Sequence, residues 1–170
     1  MRKILMLVAA MTAALALAAT GASAAGGSPH FIKNATSASL SGANLVCKFK
    51  EAGLASGSVE TVSCSATESV TYECVNGGGK NPAASNKKTF ATTVSKSGTF
   101  TADKNGNIVG SLTLQPASAA SLGFSCPPGQ TTTFVSVTYS NIRITDQTSG
   151  ASIAVAGSKS YTNPAAPPLR

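Results

Sequence analysis

Two patterns of apolar residues divide the chain. Behind Arg2 and Lys3, residues Ile4 to Ala19 form an unbroken apolar and small-residue run, followed by Thr20, Gly21, Ala22, Ser23 and Ala24. A basic start, an apolar middle and an A-x-A close are the parts of a secretory signal peptide. The run has sixteen residues, eight of them alanine or threonine, whereas a bilayer core takes ~20 predominantly apolar ones. The expectation is therefore a signal peptide over residues 1–24 and a mature chain beginning at Ala25 or Gly26, with no membrane anchor. No cysteine lies near the cleavage site to carry a lipid, and no twin-Arg pair precedes the run.

Beyond that point apolar and polar residues alternate with a period of two, the pattern of strands with one buried face. Candidate strands are Thr36 to Leu40, Leu45 to Lys50, Val59 to Ala66, Ser69 to Val75, Thr89 to Val94, Gly98 to Ala102, Ile108 to Leu114, Thr132 to Tyr139, Asn141 to Thr145 and Ala151 to Val155. Inward sets stand out within them: Leu45, Cys47 and Phe49; Ile108, Leu112 and Leu114; Val135, Val137 and Tyr139. Ser41-Gly42 and Asn105-Gly106 read as tight hairpin turns, with further turns at Ser97-Gly98 and Ser149-Gly150. Only Glu51 to Leu54 and Ala117 to Leu122 hint at helical turns. Short strands separated by turn chemistry predict an all-β fold, a sandwich of two antiparallel sheets with immunoglobulin-like topology as the starting expectation. The division expected is residues 25–162 as a single sandwich domain and a Pro-rich tail over 163–170, extended or disordered.

The four cysteines, Cys47, Cys64, Cys74 and Cys126, follow an export signal into an oxidising compartment and read as two disulfides. A zinc site is the weaker alternative, because there is no C-x-x-C pair and the single histidine is His30. Val62, Cys64, Ala66, Val70, Tyr72 and Cys74 all fall on even positions with no Gly, Pro or Asn between them. If that stretch stays extended, Cys64 and Cys74 lie about 33 Å apart at ~3.3 Å per residue, beyond the ~7 Å that a disulfide spans. Of the two remaining pairings, Cys47 with Cys64 is preferred, since strands at Leu45 to Lys50 and Val59 to Ser65 can face each other; Cys74 with Cys126 follows.

Charge changes the picture only slightly. The chain carries 13 basic and 6 acidic side chains, and loss of Arg2 and Lys3 leaves a net charge of +5. Simple solubility accounts for this, with attraction to an acidic cell-envelope polymer as the functional alternative. Two connections exceed tight turns and are where binding would sit. One runs from Asn76 through Gly77, Gly78, Gly79 and Lys80 to Lys87 and Lys88; the other runs from Gln115 to Gln130 and includes the Cys126-Pro127-Pro128-Gly129 corner. A Cys74–Cys126 bond would give both loops one rigid root. The glycine cluster reads as a close turn rather than an anion cradle, for no strand-to-helix phosphate motif surrounds it.

Catalytic chemistry is represented mainly by absences. His30 is alone, which disfavours a triad, and its place a few residues inside the mature chain excludes an N-terminal copper brace. Glu60 and Glu68 can share a strand face, but eight residues at ~3.3 Å hold them about 26 Å apart, too far for a glycosidase pair. Ser85-Asn86-Lys87-Lys88 spells S-x-x-K without the S-D-N and K-T-G partners of that chemistry. Asp103-Lys104-Asn105-Gly106-Asn107 resembles the start of a calcium loop, yet Ile108 stands where Gly is needed and Leu114 where Glu is needed. No cofactor or metal is expected. With no Trp in the chain, a sugar platform is restricted to Tyr161 and a few Phe, and Lys80, Lys87 and Lys88 lack the interleaved aromatics of a nucleic-acid site.

The stretches Pro29 to Thr36, Phe49 to Leu54, Tyr72 to Gly79 and Cys126 to Gln130 are similar to those of a group of small secreted proteins from high-GC Gram-positive bacteria and some fungi. The resemblance covers most of the mature chain. It implies secretion and a shared β-fold but carries over no catalytic or binding residues. The functional expectation is thus a secreted, non-catalytic sandwich that binds an extracellular protein or envelope component through loops 76–88 and 115–130. An inhibitor of a secreted hydrolase is the alternative, and an enzyme, resting on a cluster such as Asp103 and Asp146 with Lys or Tyr side chains, is the third reading.

Overall fold

A computed structural model describes residues 27–76 and 86–167. The expected signal peptide, residues 77–85 of the first loop (Gly77, Gly78, Gly79 and Lys80 among them) and residues 168–170 lie outside the described residues.

The alternating segments form two antiparallel sheets. In the shorter sheet, β3 (Asn44–Ala52) is central, with β6 (Ile108–Leu114) along one side. Its other side is shared end to end by β1 (His30–Phe31) and β2 (Ser37–Ser41). In the longer sheet, β4 (Val59–Asn76) lies between β5 (Lys87–Thr101) and β7 (Gln130–Asp146). The far edge of β7 is shared by β8 (Ser152–Ala154) and β9 (Lys159–Thr162). The expected inward sets are buried, and Val62, Cys64, Ala66, Val70, Tyr72 and Cys74 all face the interior from β4. Cys47–Cys64 joins the sheets through the core and Cys74–Cys126 ties the far end of β4 to the second long loop, the two pairings preferred from the sequence.

Several expected boundaries are corrected. Three pairs of short candidates are single long strands. On β4, Thr67 and Glu68 bridge Val59–Ala66 to Ser69–Val75, because Glu68 keeps the inward phase and finds a buried partner. On β5, Ser97-Gly98 is not a turn: Gly98 stays paired with Val62, and a Cβ there would lie 3.1 Å from Leu112 Cδ2 and 3.2 Å from Phe100 Cε2. That glycine makes room between the sheets. On β7, Asn141 adopts φ 51°, a left-handed conformation that Asn tolerates. It forms part of a bulge, because the register runs from Thr67↔Ser140 to Ser65↔Arg143. The extra residue moves the inward phase from Val137 and Tyr139 to Ile142 and Ile144, which disguises one strand as two.

The Asn105-Gly106 turn is not a hairpin but a crossing between sheets, since β5 pairs with β4 and β6 with β3. Asp103 Oδ1 accepts the amides of Asn105 (2.8 Å) and Asn107 (2.9 Å) and thereby shapes the crossing. Those N–H groups, Asn107 first, hold the Asp103 carboxyl below its ordinary range. Glu51 and Ala52 complete β3 instead of opening a helical turn. The tail is anchored where it begins: Asn163 donates from its amide to the Val135 carbonyl and from Nδ2 to the Phe134 carbonyl, both at 2.8 Å. The chain between Lys33 and Ala35 makes a 3-10 turn with no sequence signal that anticipated it.

Candidate functional site

The long strands set the geometry of the predicted site. At ~3.3 Å per residue, the 18 residues of β4 extend about twice as far as the 9 of β3. Past the end of the short sheet, the inner face of β4 and its neighbours carries Val70, Tyr72, Phe90, Phe134 and Tyr161, which need cover. The Gln115 to Gln130 connection supplies it, packing Ala119, Leu122 and Phe124 on that face.

Local chemistry shapes this cover. Ser118 Oγ accepts the Ser121 amide at 3.1 Å, as an N-cap does. Gly123, at φ 68°, ends the single helical turn, with its amide on the Ala120 carbonyl and that of Phe124 on the Ala119 carbonyl. The helical hint at Ala117 to Leu122 therefore marks one capped turn. Ala117 is held at both backbone groups. Its N–H donates to Glu68 at 3.0 Å to Oε1 and 3.3 Å to Oε2, while its carbonyl accepts the Tyr72 hydroxyl at 2.8 Å. Burial pushes the Glu68 carboxyl above its ordinary range against the Ala117 N–H, and pushes up the Tyr72 hydroxyl, aided by the Glu68 charge. Burial raises the Tyr139 phenol as well, whose O–H donates to the Ala43 carbonyl at 2.9 Å. Aromatic rings extend the contact: Phe124 lies 6.2 Å from Tyr72 and 5.8 Å from Phe90, and Phe134 stacks on Tyr161 at 6.2 Å.

Most described residues of the predicted site gather at this end. The Cα atoms of Cys74 and Cys126 are 5.5 Å apart, Asn76 pairs with Gln130, and Glu73 pairs with Lys87. Lys88 is exposed, its ammonium 4.8 Å over the Phe90 ring. Cys47 and Cys64 sit apart from them, within the core. Beside the covered face, where β5 and the end of β6 diverge, an open groove of about 730 Å³ runs between Val94 to Lys96 and Thr113 to Pro116. Among the described residues its one charged lining side chain is Lys96. The groove can accommodate a polar ligand or a peptide segment but holds no acid/base pair. The loop was legible in the sequence but its aromatic underside was not, because Phe90, Phe124, Phe134 and Tyr161 are scattered along the chain and meet only across strands.

A second cluster, at the opposite end of β4, also escaped that reading. Glu51 and Asp146 are wholly buried and Glu60 is 5% exposed. Ser149 Oγ donates to Glu51 Oε1 at 3.2 Å, the Thr148 amide to Asp146 Oδ1 at 2.8 Å, and Ser58 Oγ to Glu60 Oε1 at 2.6 Å. The second oxygen of each carboxyl is buried and finds no hydrogen-bond donor among the described residues. The signal was the phase: Glu51 continues Leu45, Cys47 and Phe49, and Asp146 continues Ile142 and Ile144. Asp103, which the enzyme reading grouped with Asp146, is exposed in its own turn.

Among the described residues no three His, Cys, Asp or Glu side chains form a group able to hold a metal ion, and no helix is long and apolar enough to cross a membrane. Two disulfides in so short a chain belong to an oxidising environment. No family model matches the chain, and no curated protein or solved structure matches it either.

Proposed function

We propose that the protein is a secreted, non-catalytic binding module that holds an extracellular protein or envelope component at the end of its long sheet, where loops 76–88 and 115–130 emerge. The observation that carries this is the common root: the Cys74–Cys126 bond together with the double clamp on Ala117. Prefixing backbone and rings in this way lowers the ordering cost of association. Lys88 and Lys96 add positive charge along β5, which favours an acidic partner surface. Secretion and kinship with the secreted group named above are parts of the same proposal. The test is capture from culture supernatant and cell envelope by the immobilised mature protein. A Lys88→Ala/Lys96→Ala variant is expected to lose most of the captured material; equal capture would remove this edge from the proposal.

The exposed Pro127-Pro128-Gly129 corner, immediately after the disulfide, favours a second reading as an inhibitor whose rigid corner enters a hydrolase cleft. Stoichiometric inhibition in a panel of secreted hydrolases, abolished by replacing Pro127 and Pro128, is the distinguishing outcome.

A further inference from the structure

We propose that Glu51 and Asp146 share a single proton between the two sheets, and that its loss loosens the 147–150 turn, so that this end of the sandwich is a latch closed in acid and eased open as the pH rises.

Glu51 is the last inward residue of β3 before Ala52 ends the strand, and Asp146 closes β7 in the other sheet. The two acids meet at one turn: Ser149 Oγ donates to Glu51 and the amide of its neighbour Thr148 donates to Asp146. Both side chains are fully buried, and each has one oxygen satisfied and one, Glu51 Oε2 and Asp146 Oδ2, with no donor among the described residues. Two buried carboxylates in contact do not both stay ionised. A neutral carboxyl is a donor and an ionised one an acceptor, so one shared proton removes the repulsion and supplies the missing hydrogen bond.

The Ser149 hydroxyl favours the ionised form of Glu51 but is outweighed by burial, and among the described residues no cation is paired with either acid. Glu60 of β4 adds a second negative charge acting on Glu51. Lys48 and Lys50 of β3 occupy the alternate, outward phase. His30 of β1 is exposed with its ring on the Ser28 carbonyl. Strands β6 and β8 contribute no titratable side chain. In the adjoining crossing, Asp103 is exposed and lies in the field of Lys50.

Burial first, then the Asp146 charge, pushes the Glu51 carboxyl from 4.5 up to about 7. The folded protein therefore keeps a proton that the unfolded chain has released. The stabilisation is complete below the ordinary value of 4.5 and is lost as the pH climbs through about 7. The strain falls on the turn, since Ser149 Oγ and the Thr148 amide bond the two acids directly. Thr148 Oγ1 in turn accepts the Thr61 amide at 3.0 Å, and the Gly150 amide donates to the Asp146 carbonyl at 2.9 Å.

The test follows wild type, Glu51→Gln and Asp146→Asn from pH 4.5 to 8.5 by carboxyl carbon-13 NMR, urea unfolding and amide hydrogen exchange. Wild type should show a carboxyl titrating near neutrality that is absent from Glu51→Gln. Its unfolding constant should rise on the order of a hundredfold across the range, and at least tenfold less in Glu51→Gln. Thr148 and Gly150 should lose exchange protection, corrected for intrinsic rates, in wild type alone. A Glu51 carboxyl that titrates at its ordinary value, or identical pH profiles in wild type and variants, overturns the proposal. If the variants do not fold, the wild-type NMR titration decides by itself. Displacement of both carboxyl resonances by added calcium chloride at neutral pH would overturn the shared proton in favour of a bound cation.

Discussion

Replacing Gly110 by alanine tests how the open side of the sandwich closes. Glycine is a poor strand residue, and a substitution that merely restored a side chain would gain about 0.5–1 kcal/mol. Gly110 faces two rings, however. A Cβ there would lie 2.5 Å from Phe100 Cε1 and 2.7 Å from Phe49 Cζ, whereas carbon atoms pack best at about 3.5–4.0 Å. Phe49 cannot retreat far: it is fully buried and packed edge-on against Phe31 at 5.9 Å and Phe100 at 5.1 Å. Phe100, half-buried on edge strand β5, must move instead, and that shift separates β5 from β6. Overpacking of this kind costs about 1–3 kcal/mol; mid-range values of cost and strand gain leave a net loss of about 1 kcal/mol. Urea unfolding followed by circular dichroism measures it. Trimming the obstructing ring with Phe100→Leu should relieve the clash, so the double variant should be more stable than additivity predicts by about 1 kcal/mol. A Gly110→Ala protein as stable as wild type, or strict additivity with Phe100→Leu, would refute the reasoning.

Other predictions address the long-sheet end. Tyr72→Phe removes the hydroxyl that holds the Ala117 carbonyl and should cost about 1 kcal/mol, with faster hydrogen exchange at Leu122 to Phe124. Replacing Cys74 and Cys126 by serine opens a link across 52 residues, worth about 4 kcal/mol by chain entropy; removing Cys47–Cys64, across 17 residues, should lose about 1 kcal/mol less from the same term. Paired urea titrations of the two variants compare them. N-terminal sequencing of protein recovered from culture supernatant should begin at Ala25 or Gly26; absence from the supernatant, or a chain that retained Arg2 and Lys3, would refute the proposed export and cleavage.

The class of fold and the inward faces of β3, β4, β6 and the first half of β7 were legible in the sequence, because period-two alternation is a local property of a half-buried strand. Leu45, Cys47 and Phe49, or Val62 through Cys74, could be assigned to the interior without knowing what lay opposite. The same alternation excluded Cys64–Cys74 and left two pairings, of which the fold contains the one preferred because its strands could face each other. Tertiary structure decided what non-local neighbours control. Whether Ser97-Gly98 turns or continues depends on Leu112 and Phe100 across the gap. Whether β7 is one strand or two depends on the bulge at Asn141 against β4. The second long loop was legible as a connection but not as a cover, since the exposed half of the longer sheet arises only from the unequal strand lengths. Glu51 and Asp146 were the least legible residues. Glu51 reads as the start of a helical turn and Asp146 as a residue just past a strand, and only the packing of the two sheets buries both beside the 147–150 turn.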